Sequence, residues 1–289
     1  MNTATNENET SQLLSNTLRY LFIFLIWMKY FIDNQIWDIE SGKQIQCFDG
    51  HSSYANFAEF SPNGNVIVSC SQDETIRLWD VQTQKEVMRI EDEGTVWHIN
   101  FSPDGKYIVS GSSDNIIRVW DIEFGKEIKK LVGHLNGVGS VYFSSDGQMI
   151  ASSSYDETIG LWNAKTGERL KQLTGHTASV RCAKFSPNDR FIVSCSADNT
   201  IRIWSVRSGK ELKILKGHSD IVTDAQYFPD GQTIVSCSLD KTIRLWDTKS
   251  GCTTQILVGH YRWISRIDIS SDSNTIVSSS HDKTIRIWR

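Results

Sequence analysis

Residues 217–247 read GHSDIVTDAQYFPDGQTIVSCSLDKTIRLWD, and this stretch decides the fold. It opens on Gly217-His218, turns at YFPDG (residues 227–231) and closes on Trp246-Asp247. The runs TIVSCS and TIRLW are short, rich in β-branched residues and bounded by turn residues, which is the pattern of strands. In YFPDG the proline fixes φ, and the final glycine accepts a left-handed backbone. Three further residues stand at offsets that prove general: Asp240 six before the tryptophan, Ser236 four before the aspartate, and His218 near the start.

Seven of the ten tryptophans keep a beat, at 37, 79, 120, 162, 204, 246 and 288, with spacings of 42, 41, 42, 42, 42 and 42. A period of this length marks an array of identical supersecondary units. Aligned on Trp79, Trp120, Trp162, Trp204, Trp246 and Trp288, the other marks fall into place. The histidines are His51, His134, His176, His218 and His260. The serines are Ser69, Ser110, Ser152, Ser194, Ser236 and Ser278, and the aspartates are Asp73, Asp114, Asp156, Asp198, Asp240 and Asp282. All four prolines lie in turns of the YFPDG kind. A proline inside a strand would remove a ladder donor. A second turn carries the repeated Asp and a third, of the SGK or TGE type, follows the Trp. Each unit therefore has four strands.

Ser, Asp and Trp at fixed offsets in six successive units, with Gly-His in five of them and Trp-Asp in three, make residues 36–289 resemble the WD-repeat (β-transducin-like) family. The resemblance implies an all-β fold: a WD-repeat β-propeller of six four-stranded blades. It also implies a structural role for the marked residues. In each unit His, Ser, Asp and Trp form a hydrogen-bonded tetrad ending on the indole N–H. A Ser/His/Asp set invites a hydrolase reading, but the trio recurs in five units where a reaction needs it once. No Walker loop, paired-carboxylate site or H-x-x-x-H cluster appears in the sequence. No catalytic residue, cofactor or metal is expected. The second unit departs from the pattern, with Asp92 where the others have His. A carboxylate cannot donate to Asp114, so this tetrad is expected to be incomplete and its seam loose.

The two ends of the array are linked in this reading. The sixth unit stops after its third strand at Arg289, and KQIQCF (residues 43–48) is a fourth strand with no complete unit before it. The expected closure pairs that strand with the last unit, which removes open edges. Seven blades result instead if residues 10–38 form a degenerate blade. Residues 1–35 are an irregular N-terminal segment containing the apolar tract YLFIFLIWMKYFI at 20–32. The tract is short for a membrane span and lacks a strong basic flank. A packed strand of a degenerate blade, a membrane-associated helix and an unfolded tract all remain open. Trp27 belongs to it.

The net charge of −4 gives no basic face for nucleic acid. The six cysteines lack metal-ligand spacing, which suits a reducing compartment, cytoplasmic or otherwise intracellular.

The tryptophans off the beat carry the functional expectation. By analogy with the family, each unit presents three residues to a partner: three and five after the His, and one before the Asp. These positions give an aromatic half-arc of Trp263, Tyr54, Trp97 and Tyr155, with Arg181 and Leu239 opposite and His281 beside the sixth unit. Aromatics and Arg dominate binding hot spots. The competing reading has the tryptophans filling gaps between blades. The resemblance thus implies a non-catalytic scaffold or adaptor that binds a protein or peptide on the face of the Gly-His loops and Asp turns. The alternative is a membrane-associated regulatory or sensor module anchored through residues 20–32.

Overall fold

The computed structural model describes residues 21–24, 34–38 and 41–289. Its described residues are all strand, turn and loop. The fifth unit shows the plan: Val222–Tyr227, Thr233–Ser238, Thr242–Asp247 and Thr253–Val258 form one antiparallel sheet in chain order. Five such four-stranded sheets follow one another, and the sixth unit contributes three strands. The molecule is a β-propeller of consecutive WD-type blades.

Each middle strand is covered on both faces by neighbouring blades. This explains why its sequence is a continuous run such as Val66–Ser71, VIVSCS, with small serines admitted, rather than an alternation. The apolar clusters accordingly lie between blades. One joins Val193 and Ile201 of the fourth unit to Val222, Ile234 and Trp246 of the fifth. The turns follow the sequence rule at a cost where glycine is missing. The left-handed position filled by Gly231 (φ 66°) is held by Asp189 (φ 55°) in the fourth unit.

The N-terminal strands correct the expected closure. Label them β1 (Leu21–Phe24), β2 (Asn34–Asp38) and β3 (Gln44–Phe48). Residues 43–48 do not close the last blade: β3 pairs with β2, and β2 with β1, in a further three-stranded sheet. The β2–β3 register shift between Ile36 and Trp37 matches the one between Leu78 and Trp79 in the first unit. Ile36 and Phe48 pack on Ala58, Ile67 and Trp79 of the first blade. The physical reason is apolar: β3 reaches this buried surface only beside β2. So 21–24 and 34–38 behave as strands of a degenerate blade. The rest of the tract at 20–32, including Trp27, lies outside the described residues. Among the described residues no helix is long and apolar enough to cross a membrane.

Candidate functional site

The marked residues of five units meet as one chain of hydrogen bonds. In the fifth unit, His218 Nδ1 lies 2.7 Å from Asp240, His218 Nε2 lies 2.8 Å from Ser236 Oγ, and the Trp246 indole donates to the same Oγ at 2.8 Å. The sets His51–Ser69–Asp73–Trp79, His134–Ser152–Asp156–Trp162, His176–Ser194–Asp198–Trp204 and His260–Ser278–Asp282–Trp288 repeat this geometry. The tautomer follows from the partners. An ionised Asp only accepts and the Ser hydroxyl already accepts from Trp, so Nδ1 carries the proton and Ser donates to Nε2. Burial lowers the pKa of His51, His134 and His260, keeping the rings neutral. Burial would raise Asp73, but bonds from Thr75, the Ser52 backbone and His51 outweigh it and hold the carboxyl low. Every member is occupied, which leaves no free nucleophile in these sets.

In the second unit no imidazole among the described residues links Ser110 to Asp114, as the sequence leads one to expect, and a different group occupies the gap. Trp120 donates to Ser110 at 2.9 Å, and Ser110 donates to Asp92 at 3.1 Å. Asp92 then pairs with Arg118 at 2.7 Å, and Arg118 with Asp114 at 2.5 Å. The Asp92 contact is ionic rather than an aligned hydrogen bond. Glu93 and Glu127 also reach the Arg118 guanidinium, at 2.7 and 3.3 Å. An arginine stands in for the missing imidazole donor.

Most of the residues expected to face a partner gather at a central cavity of about 870 Å³. Trp97, Tyr155, Arg181, Leu239, Trp263 and His281 line it; Tyr54 does not, although 38% exposed. The aromatic arc is thus two clusters rather than one. Trp97 and Arg181 both lie against Tyr155, with ring centroids at 6.3 Å and the guanidinium at 5.1 Å from the ring. Trp263, half exposed, meets the His281 ring at 5.4 Å. His281 is therefore engaged with Trp263, while Asp282 is taken by His260 and Thr284.

A backbone device sets the mouth. In each of the six units the inner strand shifts register against the next strand after its first residue. The residue skipped is Asn56, Trp97, Gly139, Arg181, Thr223 or Ser265. A bulge of this kind re-aims a side chain off the ladder. Here all six skipped residues line the cavity.

Deeper in the cavity lies a ring that the sequence reading missed. Glu59, Asn100, Tyr142, Lys184, Gln226 and Asp268 occupy one position of successive inner strands, and all but Asn100 line the cavity. Asn100 donates to Glu59 at 3.0 Å, Lys184 lies 5.4 Å from the Tyr142 ring centroid, and Gln226 bridges Lys184 and Asp268 at 3.1 Å each. A second ring, two residues earlier, includes Phe57, His98, Asp224 and Arg266. His98 contacts the Tyr142 hydroxyl at 2.9 Å, Asp224 pairs with Lys184 at 2.9 Å, and Arg266 stacks over Phe57 at 5.0 Å. Burial pushes Glu59 up to about 8 and, with Arg266 and Lys184, lowers His98 well below the usual imidazole range. The signal was in the sequence: polar and charged residues recur on the 41–42 residue beat inside otherwise apolar strands. Among the described residues no three His, Cys, Asp or Glu side chains group to hold a metal.

Comparison with known proteins agrees with the geometry. The family described as WD domain, G-beta repeat (WD40) matches residues 42–80, 84–121, 125–163, 167–205, 209–247 and 251–289. Relatives include apoptotic protease-activating factor 1 of Danio rerio, 41% identical over 46 residues, which are 16% of this chain and 4% of that one. The Lissencephaly-1 homolog 1 of Paramecium tetraurelia is 36% identical over 58 residues, 20% of this chain and 14% of that one. THO complex subunit 6 of Arabidopsis thaliana is 41% identical over 49 residues, 17% of this chain and 13% of that one. The chain thus spans well under two thirds of the length of each.

Proposed function

The chain belongs to the WD domain, G-beta repeat family, and on that premise we propose that it is a non-catalytic scaffold holding a protein or peptide segment across the channel mouth. One observation carries the reading: the residues skipped by the bulges of all six units, with the Asp-turn residues Tyr155, Leu239 and His281, converge on one cavity whose rim bears Trp97, Tyr155, Arg181 and half-exposed Trp263. Large aromatics and Arg at the rim of a pocket are the residues that anchor partners. The polar groups below them are engaged with one another, Lys184 by Asp224 and Glu59 by Asn100, which favours binding over turnover. The relatives' names span unrelated processes, which suits a module defined by what it holds.

The reading includes a reducing, intracellular setting. Buried thiols at Cys70, Cys182, Cys195 and Cys237 support it. Recovery of the native protein with a disulfide would remove that part.

The test uses Trp97→Ala and Trp263→Ala, with Trp204→Ala as the core control. An anchor truncation typically weakens binding by about 2 kcal/mol or more, roughly thirtyfold. Affinity capture by the intact chain and thermal melts are compared for each variant. If the two rim variants melt as low as the control, they are core residues. If they melt normally and retain the captured partner in full, the site lies elsewhere.

A further inference from the structure

A binding mouth selects by the chemistry of its least satisfied groups, and here these sit together. We propose that the Trp97–Tyr155–Arg181 cluster is a receptor for an anionic side chain, so that the segment held at the mouth is an acidic peptide; this rests on the scaffold reading above.

The cluster is a built feature. The third unit has Gly137 and Gly139 where the other units present side chains, and Tyr155 lies in the space they leave. A Cβ at Gly139 would stand 3.2 Å from Tyr155 Cε1 and 3.3 Å from the Arg181 carbonyl oxygen; one at Gly137 would stand 3.5 Å from Tyr155 Cδ2. Tyr155 thereby becomes a wall between two flat groups, the Trp97 indole and the Arg181 guanidinium. Stacking holds Arg181 in place before any ligand arrives, so little side-chain entropy remains to be lost on binding.

Both flanking groups are donors in want of an acceptor. Among the described residues, Trp97 Nε1 and Arg181 Nε are buried without a hydrogen-bond partner. No ion pair involves Arg181 among the described residues, whereas Lys184, three residues along the same strand, pairs with Asp224 at 2.9 Å. Buried N–H groups without acceptors cost free energy that a ligand acceptor recovers. A carboxylate or phosphate offers several lone pairs and matches the guanidinium fork. A neutral amide or a cation does not.

The surrounding charges favour the same sign. Cations Arg181, Lys184 and Arg266 face Asp224 and Asp268 around the cavity, while burial holds Glu59 protonated near neutral pH. Burial and the Arg262 charge keep His281, across the mouth, neutral.

The test presents immobilised pools of acetylated, amidated nonapeptides to the full chain. The central residue is fixed as Glu, Gln, phosphoserine, Ser or Lys, and the other positions are degenerate. The expected result is retention of the Glu or phosphoserine pool about tenfold above its neutral counterpart, the size of a charge-assisted hydrogen bond. Whichever of the two is preferred identifies the oxyanion. Arg181→Gln should abolish that preference while the neutral pools still bind, and Arg181→Lys should keep part of it. Thermal melts matching wild type show that the variants are folded. Equal retention of the Glu, phosphoserine, Gln and Ser pools by wild type overturns the proposal, as does a preference that survives Arg181→Gln. If peptides bind without charge preference, the scaffold reading stands and the anion receptor falls. If no pool is retained by wild type, both fall.

Discussion

The fifth and second units perform the same task with opposite chemistry. Both must tie the loop before the inner strand to the tryptophan of the third strand. The fifth does so through a neutral imidazole between Asp240 and Ser236. The second does so through a fully buried guanidinium, Arg118, ringed by Asp92, Glu93, Asp114 and Glu127. The lesson is that the repeat conserves a connection rather than a residue. An arginine four residues after the repeated Asp is present in most units, as Arg77, Arg202, Arg244 and Arg286. Only where His is absent does it take over the connection to the serine's partner.

The two solutions respond oppositely to pH. In the first, third and sixth units His51, His134 and His260, held by burial below the usual imidazole pKa, contribute stability that is full above about 6.5 and is lost as pH falls from there through their lowered values. Asp73 and its equivalents, held low, likewise contribute stability that acid removes. Asp92 goes the other way. Burial, opposed by Arg118 and reinforced by the Asp114 charge, raises it to about 6. Its contribution is full below the unfolded value near 3.9 and is lost as pH rises through about 6.

The largest effect that would break this comparison is expected from Arg118→Ala. It strips the shared cation from four carboxylates and should cost about 3–5 kcal/mol, the usual penalty for breaking a buried pair. Arg244→Ala, at the equivalent place in a histidine unit, should cost only about 1 kcal/mol, because His218 already holds the loop. Equal losses in denaturant melts would mean that both arginines act merely by packing.

His218→Ala comes next. It removes two hydrogen bonds and leaves Ser236 and Asp240 short of partners, at about 1–3 kcal/mol. A loss below about 0.5 kcal/mol would reduce the tetrad to decoration.

The pH dependence is smaller and sharper. Asp92→Asn removes the titrating group and keeps the shape. Stability of wild type relative to Asp92→Asn should decline by about 1–3 kcal/mol between pH 4 and pH 8, as the raised carboxyl ionises. A difference that instead grows with pH would show Asp92 to be stabilised as the anion by Arg118. The smallest change is expected from Asp92→His, which restores the imidazole and removes one of four crowded carboxylates. It should be neutral or stabilising, within about 1 kcal/mol. A clear fall in melting temperature would give Asp92 a role of its own.

The sequence by itself determined what lies within a unit. The 42-residue beat places Ser236, Asp240 and Trp246 at offsets that adjacent antiparallel strands bring together, so the repeat, its turns and its tetrad positions are legible without coordinates. It also pointed to Trp97, Tyr155, Arg181, Leu239, Trp263 and His281, through their distance from the His and Asp marks. What passes between units was decided only by tertiary structure. Residues 44–48 suit the third strand of either neighbour, and the choice of β2 depends on the apolar surface that Ile36 and Phe48 find on the first blade. The bulge that swings Trp97 and Arg181 into the mouth leaves no mark in hydrophobic periodicity, because the skipped residue is free of the ladder. Lys184 of the fourth unit reaches Asp224 of the fifth across 40 residues. In a repeat, every unit offers the same local instructions. Which neighbour a strand or a buried charge takes is settled by which partner surface can cover it from water, and that surface exists only once the blades have assembled.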